Sequence, residues 1–253
     1  APGPPAGISR FRCIANGNKR MNIPPDPEKA YSLLGKVEGA EKLFLKGRRS
    51  READLESAVT FFLEFLRGFE SFDFDQPCVT VFGSARFDEN HKYYQLARET
   101  GAALAEAGYA VMTGGGPGIM EAANRGAREA GGLSLGCTIR LPREQKPNPY
   151  LDKFIEFEHF FIRKVMLVKY SSAFIVMPGG YGTLDEAFEI MTLVQTGKLE
   201  RFPIIGMGGS FWDDLRAFSQ GTLVSSGTIS QSDLDIMQRA ETAQQALHVI
   251  ESR

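Results

Sequence analysis

Two kinds of apolar periodicity divide the chain. Over residues 28–71 the spacing is helical. Leu55, Ala58, Val59, Phe62, Leu63, Phe65, Leu66 and Phe69 share one broad face, with Glu56, Glu64, Arg67 and Glu70 off it. A face of that width predicts burial, against the main body or against a partner subunit. Ahead of it, residues 1–27 are rich in Pro, Gly and Asn, and predict a loop or disordered tail.

From Cys78 onward, short β-branched runs alternate with helical stretches. The expected strands are 78–85, 109–116, 133–139, 154–157, 173–180, 203–207 and 235–237. The expected helices are 93–107, 119–130, 160–170, 184–196, 212–223 and 243–250. Strands separated by helices of ten or so residues imply right-handed βαβ units and a parallel sheet. The strands read as near-continuous apolar runs, so both faces of the sheet are covered. The expected architecture is an open, doubly wound α/β domain over residues 72–253, with ligands at the carboxyl ends of the strands.

Composition narrows the functional classes. Charged residues make up 24% of the chain and the net charge is −2, so no basic surface for nucleic acid is implied. The apolar runs are too short to cross a bilayer, and the N-terminus lacks the apolar stretch of a signal peptide. Cys13, Cys78 and Cys137 are odd in number and far apart, which argues against a disulfide framework or a zinc site. Cys78 and Cys137 sit in apolar runs and read as core residues. A cytoplasmic location is expected. His91, His159 and His248 are isolated and have no metal-ligand spacing, so surface or packing roles are expected for each.

Two glycine-rich turns carry the candidate chemistry. Thr113-Gly114-Gly115-Gly116-Pro117-Gly118-Ile119-Met120 joins a strand to a helix, where bare amides and the helix dipole favour an anion. It departs from the dinucleotide fingerprint, because Ile119 stands where the third glycine belongs, and the chain has no P-loop. The second turn, Pro178-Gly179-Gly180-Tyr181-Gly182-Thr183-Leu184-Asp185-Glu186, has the same setting. Here two readings stay open. Thr183 and Glu186 fit a capping box, in which the glutamate only ties back to the helix start. Alternatively, Glu186 is a carboxylate beside a phosphate site. Gly83 and Ser84 end the first expected strand at the same sheet edge. Arg163 and Lys164 lie near the start of an otherwise apolar helix. They read either as a pair facing an anion or as a solvated basic pair.

Taken together, these residues resemble the Lonely guy family, the cytokinin riboside 5′-monophosphate phosphoribohydrolases, whose bacterial members often carry the label "possible lysine decarboxylase". The family motif P-G-G-x-G-T-x-x-E matches residues 178–186 at every specified position. Gly114, Gly115 and Gly116 match its glycine turn, Gly83 and Ser84 its first strand end, and Arg163 its arginine. The likeness runs from about residue 80 to the C-terminus. The first 70 or so residues have no counterpart in compact members.

The resemblance implies a Rossmann-like domain with an N-terminal helical extension, and hydrolysis of the N-glycosidic bond of a purine nucleoside 5′-monophosphate. It implies no cofactor and no metal. The partners implied are the nucleotide substrate and further copies of the chain, a homodimer or a higher homo-oligomer, with the helix that carries Arg163 or the one after Thr183 near the interface. Glu186 and Arg163 become catalytic. Gly83, Ser84, Gly115, Gly116, Gly179, Gly180, Gly182 and Thr183 bind phosphate and sugar, with Met120 and Lys164 as base or ribose contacts. No acid for the departing base is assigned. The alternative function is a non-catalytic nucleotide sensor or carrier on the same fold. The decarboxylase label finds no support, since no motif surrounds Lys164 or Lys169 as a Schiff-base lysine.

Overall fold

A computed structural model describes residues 39–141 and 146–252. The expected tail, the first part of the expected N-terminal helix and Cys13 lie outside them. Seven strands form one parallel sheet in the order β4-β3-β2-β1-β5-β6-β7. These are β1 (Cys78–Phe82), β2 (Ala110–Thr113), β3 (Ser134–Ile139), β4 (Lys153–Phe157), β5 (Ala173–Val176), β6 (Ile204–Met207) and β7 (Met237–Ala240). The chain builds outward from β1 to β4, returns to lay β5 on the other side of β1, and continues to β7. Register runs Val79 to Val111 on one side of β1 and Val79 to Ala173 on the other.

Alternation within each strand feeds two cores. Cys78, Phe82, Met112, Leu135, Phe174 and Ile204 face one layer of helices, with Ile162, Met166 and Leu167 of α5 (Phe160–Lys169) and Ala187, Ile190 and Val194 of α6 (Tyr181–Gln195). Val79, Val81, Val111, Ile175 and Ile205 face the other layer. It contains α3 (Lys92–Glu106), α4 (Ile119–Glu129) and, at the far end, α8 (Ala243–Glu251). Both layers are apolar, as the unbroken hydrophobic strands require.

Several expectations need correction. The stretch read as one N-terminal helix holds two among its described residues: α1 (Ala40–Phe44) and α2 (Arg51–Ser71), the latter capped by Ser50, whose hydroxyl accepts from Ala53 N–H. The face of α2 turned to the body is also not the apolar one. Leu55, Val59, Phe62, Leu66 and Phe69 are exposed, Phe62 at 61%, whereas Glu64 is 1% exposed. Phe65 packs on the core, as expected. The inward row is Ser57, Phe61, Glu64 and Gly68, and it is selected by what lies opposite, as shown below. Near the C-terminus the expected helix at 212–223 is a short 3-10 turn, then α7 (Asp213–Phe218) and a π-helical turn at Ser219–Val224. The last strand begins at Met237 rather than at 235.

Candidate active site

The sheet order places a crevice between the carboxyl ends of β1 and β5, where successive connections leave in opposite directions. Both candidate turns end there. Ser84 N–H donates to Pro178 C=O at 3.1 Å, and Ile119 N–H donates to Ser84 C=O at 2.9 Å. These bonds join the ends of β1 and β5 and the start of α4. A cavity of about 810 Å³ opens over this junction. Gly83, Ser84, Gly115, Gly116, Met120, Arg163, Gly180, Gly182, Thr183 and Glu186 all line it. Gly179 and Lys164 do not. Gly179 lies against the Thr183 side chain. Lys164 pairs with Asp185 at 3.0 Å and Glu189 at 2.9 Å, which corrects its expected contact with base or ribose. Those two carboxylates are the anions that its place near a helix start called for.

Two helix N-termini reach the crevice, and they are supplied differently. At α4 the Ile119 amide is already used by Ser84, and Glu121 supplies a carboxylate to the first turn while accepting from the Tyr94 hydroxyl at 3.0 Å. The Gly115 N–H is also occupied, donating to Thr113 Oγ1 at 2.9 Å. At α6 the N-cap is Gly180, with no side-chain cap and no acidic residue in the first turn. The amides of Tyr181, Gly182 and Thr183 have no intrahelical acceptor, and the dipole of a 15-residue helix stands behind them. Bare amides backed by a helix dipole are an arrangement that favours an anion.

The helix start also decides between the two readings of Glu186. Because α6 begins at Tyr181 and not at 184, Thr183 is its third residue rather than its cap. The capping box therefore does not form, and Glu186 is not a cap. Its Oε1 lies 3.0 Å from Arg163 Nη1, with only 12% and 9% of the two side chains exposed. Arg163 Nε–H donates to Cys137 C=O at 2.8 Å, which fixes the guanidinium against the end of β3. Burial pushes the Glu186 carboxyl above its ordinary range, and the Arg163 charge opposes that rise. Gly114 makes this approach possible, since a Cβ there would overlap Arg163 Nη2 and Met120 Sδ.

A buried polar network holds the glycine turn. Asn124 Oδ1 accepts from Thr113 Oγ1 at 2.6 Å and from Asn148 Nδ2 at 3.0 Å, while Asn124 Nδ2 donates to Ser134 Oγ and Leu135 C=O. Asn148 N–H donates to Gly115 C=O at 2.9 Å, and Asn148 Nδ2 also donates to Gly116 C=O. Sequence reasoning missed Asn124 and Asn148. The available signal was an asparagine amid the apolar spacing of a helix, where it needs buried partners. The cavity wall beyond the glycines is largely apolar, from Phe87, Met120, Ile139, Leu141 and Phe160, with Arg86 and Lys146 also lining it.

His91 stacks on Phe87 and caps α3, while His159 is buried. Cys78 and Cys137 are free buried thiols, and burial pushes the Cys137 thiol up to about 12. Among the described residues no cluster of three His, Cys, Asp or Glu could hold a metal ion, and no helix is long and apolar enough to cross a membrane.

Comparison with known proteins places this geometry in a family. The sequence model of the family described as "Possible lysine decarboxylase" matches residues 120–250. A cytokinin riboside 5′-monophosphate phosphoribohydrolase of Mycobacterium tuberculosis is 32% identical over 155 residues, covering 60% of this chain and 82% of that protein. The enzyme of that name from Oryza sativa subsp. japonica is 30% identical over 183 residues, 70% of this chain and 73% of its own length. Among solved structures, the molybdenum cofactor binding protein from Rippkaea orientalis superposes with a TM-score of 0.53 at 21% identity, over 71% of this chain and 98% of that one. The molybdenum cofactor carrier protein from Chlamydomonas reinhardtii gives 0.51 at 20% identity, over 70% and 98%. These two share the fold. The family match and the two sequence relatives, taken with the crevice described above, establish that the chain belongs to the phosphoribohydrolase family whose model is described as "Possible lysine decarboxylase".

Proposed function

We propose that the protein hydrolyses the N-glycosidic bond of purine nucleoside 5′-monophosphates, N6-modified adenosine monophosphate foremost, to free base and ribose 5-phosphate. One observation carries this reading: a buried carboxylate, Glu186, is held by Arg163 within the cavity entered by the uncapped start of α6. A binder of phosphate has no use for a buried carboxylate close to its anion. A glycosidase does, because positive charge develops on the ribose as the C1′–N bond breaks.

In this reading the amides of Tyr181, Gly182 and Thr183 hold the 5′-phosphate. That contact is remote from the bond cut, so its binding energy positions the sugar. Ionised Glu186 faces the ribose, stabilises the oxocarbenium-like charge and orients water. The water oxygen bonds to C1′, and the base departs with the proton that water releases. Arg163 keeps Glu186 ionised despite burial. The apolar wall of Met120, Ile139, Leu141 and Phe160 suits a base with an apolar N6 substituent. Two copies of the chain form the working unit, through the exposed Phe161 and Val165 of α5 and Phe188 of α6. The buried free thiols suit a reducing, cytoplasmic setting.

The test is chromatography of the purified protein with AMP and with isopentenyladenosine monophosphate, each beside its nucleoside. Release of base from the monophosphates alone supports the reading. Tight nucleotide binding without release would transfer it to a non-catalytic nucleotide sensor or carrier. Glu186→Gln is expected to lower kcat by about 100-fold or more while nucleotide binding persists.

A further inference from the structure

The N-terminus of α5, the helix that carries Arg163, receives its hydrogen-bond partners from the N-terminal extension. Glu64 Oε1 accepts from Glu158 N–H at 2.6 Å and from His159 N–H at 3.2 Å. Glu64 Oε2 lies 2.6 Å from His159 Nδ1. Both side chains of that pair are 2% exposed. From the other helix of the extension, Glu41 Oε1 accepts from Phe160 N–H at 3.1 Å. Three consecutive amides at the start of α5 thus end on two carboxylates of α1 and α2, at the end of a helix where negative charge is favoured.

The packing around them is close. Phe61 meets the rings of His159 and Phe161 edge-on, with centroids 4.7 and 5.0 Å away. One turn along α2 from Glu64, Gly68 leaves room for Met166, whose side chain a Cβ there would overlap. Arg163 lies one turn from this anchor, and its N–H donates to His159 C=O at 3.2 Å.

We infer that Glu64, assisted by Glu41, is a positioning residue: the N-terminal extension holds α5 by its first amides so that Arg163 meets Glu186. The buried, fully used carboxylate explains why α2 turns Glu64 inward, beside Phe61 and Gly68, and leaves Leu55, Val59, Phe62, Leu66 and Phe69 outside. The inference rests on the reading of Arg163 and Glu186 as the reacting site. It gives the extension a part in catalysis without any contact to substrate.

The experiment uses the full chain with Glu64→Gln, the same size but carrying an amide. Two readouts are taken. The first is base release from isopentenyladenosine monophosphate, resolved into kcat and KM. The second is the arginine side-chain NMR spectrum of 15N-arginine protein, in which the Arg163 Nε–H signal is assigned by its loss in Arg163→Lys. The expected result is a kcat lower by about tenfold or more, KM within about threefold, and a shifted Arg163 signal. Unchanged kcat with only a lower Tm would overturn the inference, because a merely structural anchor moves stability alone. If the wild-type protein releases no base, the phosphoribohydrolase reading fails separately, and the NMR signal decides: an unmoved Arg163 Nε–H overturns the positioning role. If Glu64→Gln does not fold, Glu41→Gln takes its place, with a smaller change in the same direction expected and no change overturning.

Discussion

Glu186 and Arg163 are a pair whose work depends on which of two forces sets the carboxyl. Burial raises its pKa and Arg163 lowers it, with burial the larger. In the proposed mechanism the ionised form is the working one, so activity is expected to fall on the acid side as Glu186 takes up a proton. Removing Arg163 removes the lowering influence, and the acid limb of kcat should then move to higher pH. A pH profile of Arg163→Met beside wild type on the same substrate checks this, since ionisation of the substrate phosphate is common to both. A limb that stays in place or moves down would count against the pairing. Gly114 tests the same geometry from the other side. Gly114→Ala pushes a methyl into Arg163 Nη2 and Met120 Sδ. It should destabilise by about 1–3 kcal/mol in a urea titration and reduce turnover by more than stability alone explains. The motif residues of the second turn were legible because each glycine and the glutamate have fixed places in it. The pairing of Arg163 with Glu186 was legible only through the family resemblance, because the two residues lie on different helices, 23 positions apart, and no local spacing joins them.

At the scale of elements, the two glycine turns look alike as strings and differ as structures. The start of α4 is already supplied by Ser84 and Glu121, and its turn is tied down by Thr113, Asn124 and Asn148. The start of α6 is left open. In the proposed function the ligand phosphate goes to the start of α6, and the α4 turn serves as scaffold. Asn124→Ala should strand Thr113, Ser134 and Asn148 without their partner. The expected loss is about 2–3 kcal/mol, read as a Tm lower by roughly 5–10 °C in calorimetry. An unchanged Tm would show that the network is dispensable. The boundary of α6 illustrates where local reading fails. Thr183 has the spacing of a cap, but the helix starts earlier, at Tyr181, because Gly180 reaches the sheet edge and its carbonyl already accepts from Leu184.

At the scale of the whole molecule, α2 is apolar on the side away from the body as well as partly apolar toward it. Its exposed Leu55, Val59, Phe62, Leu66 and Phe69 join Phe161, Val165 and Phe188 as large apolar side chains left in solvent. The proposed dimer predicts that light scattering finds at least two copies, and that Val165→Glu with Phe188→Glu lowers the mass toward that of one chain. A wild-type protein that scatters as a single chain at micromolar concentration would remove the dimer from the account. The crevice follows from strand order: β1 and β5 are neighbours although the paired residues Val79 and Ala173 lie 94 positions apart, and only strand pairing in the sheet brings their ends together.

The sequence by itself determined the class of fold, the order of its strands and helices from Cys78 onward, and the two turns that carry chemistry. Period, β-branching and glycine spacing are local properties, and they survive any arrangement of the rest. Tertiary structure decided how far the amides of each turn are already occupied and which partners Lys164 takes. It also decided that α2 buries a glutamate instead of its apolar stripe. The physical reason is the same in each case. Unsatisfied amides and buried charges must find partners, and those partners come from residues far away in the chain. Glu64 is the plainest instance: its spacing reads as a solvated position, and the open start of α5 makes it a buried one.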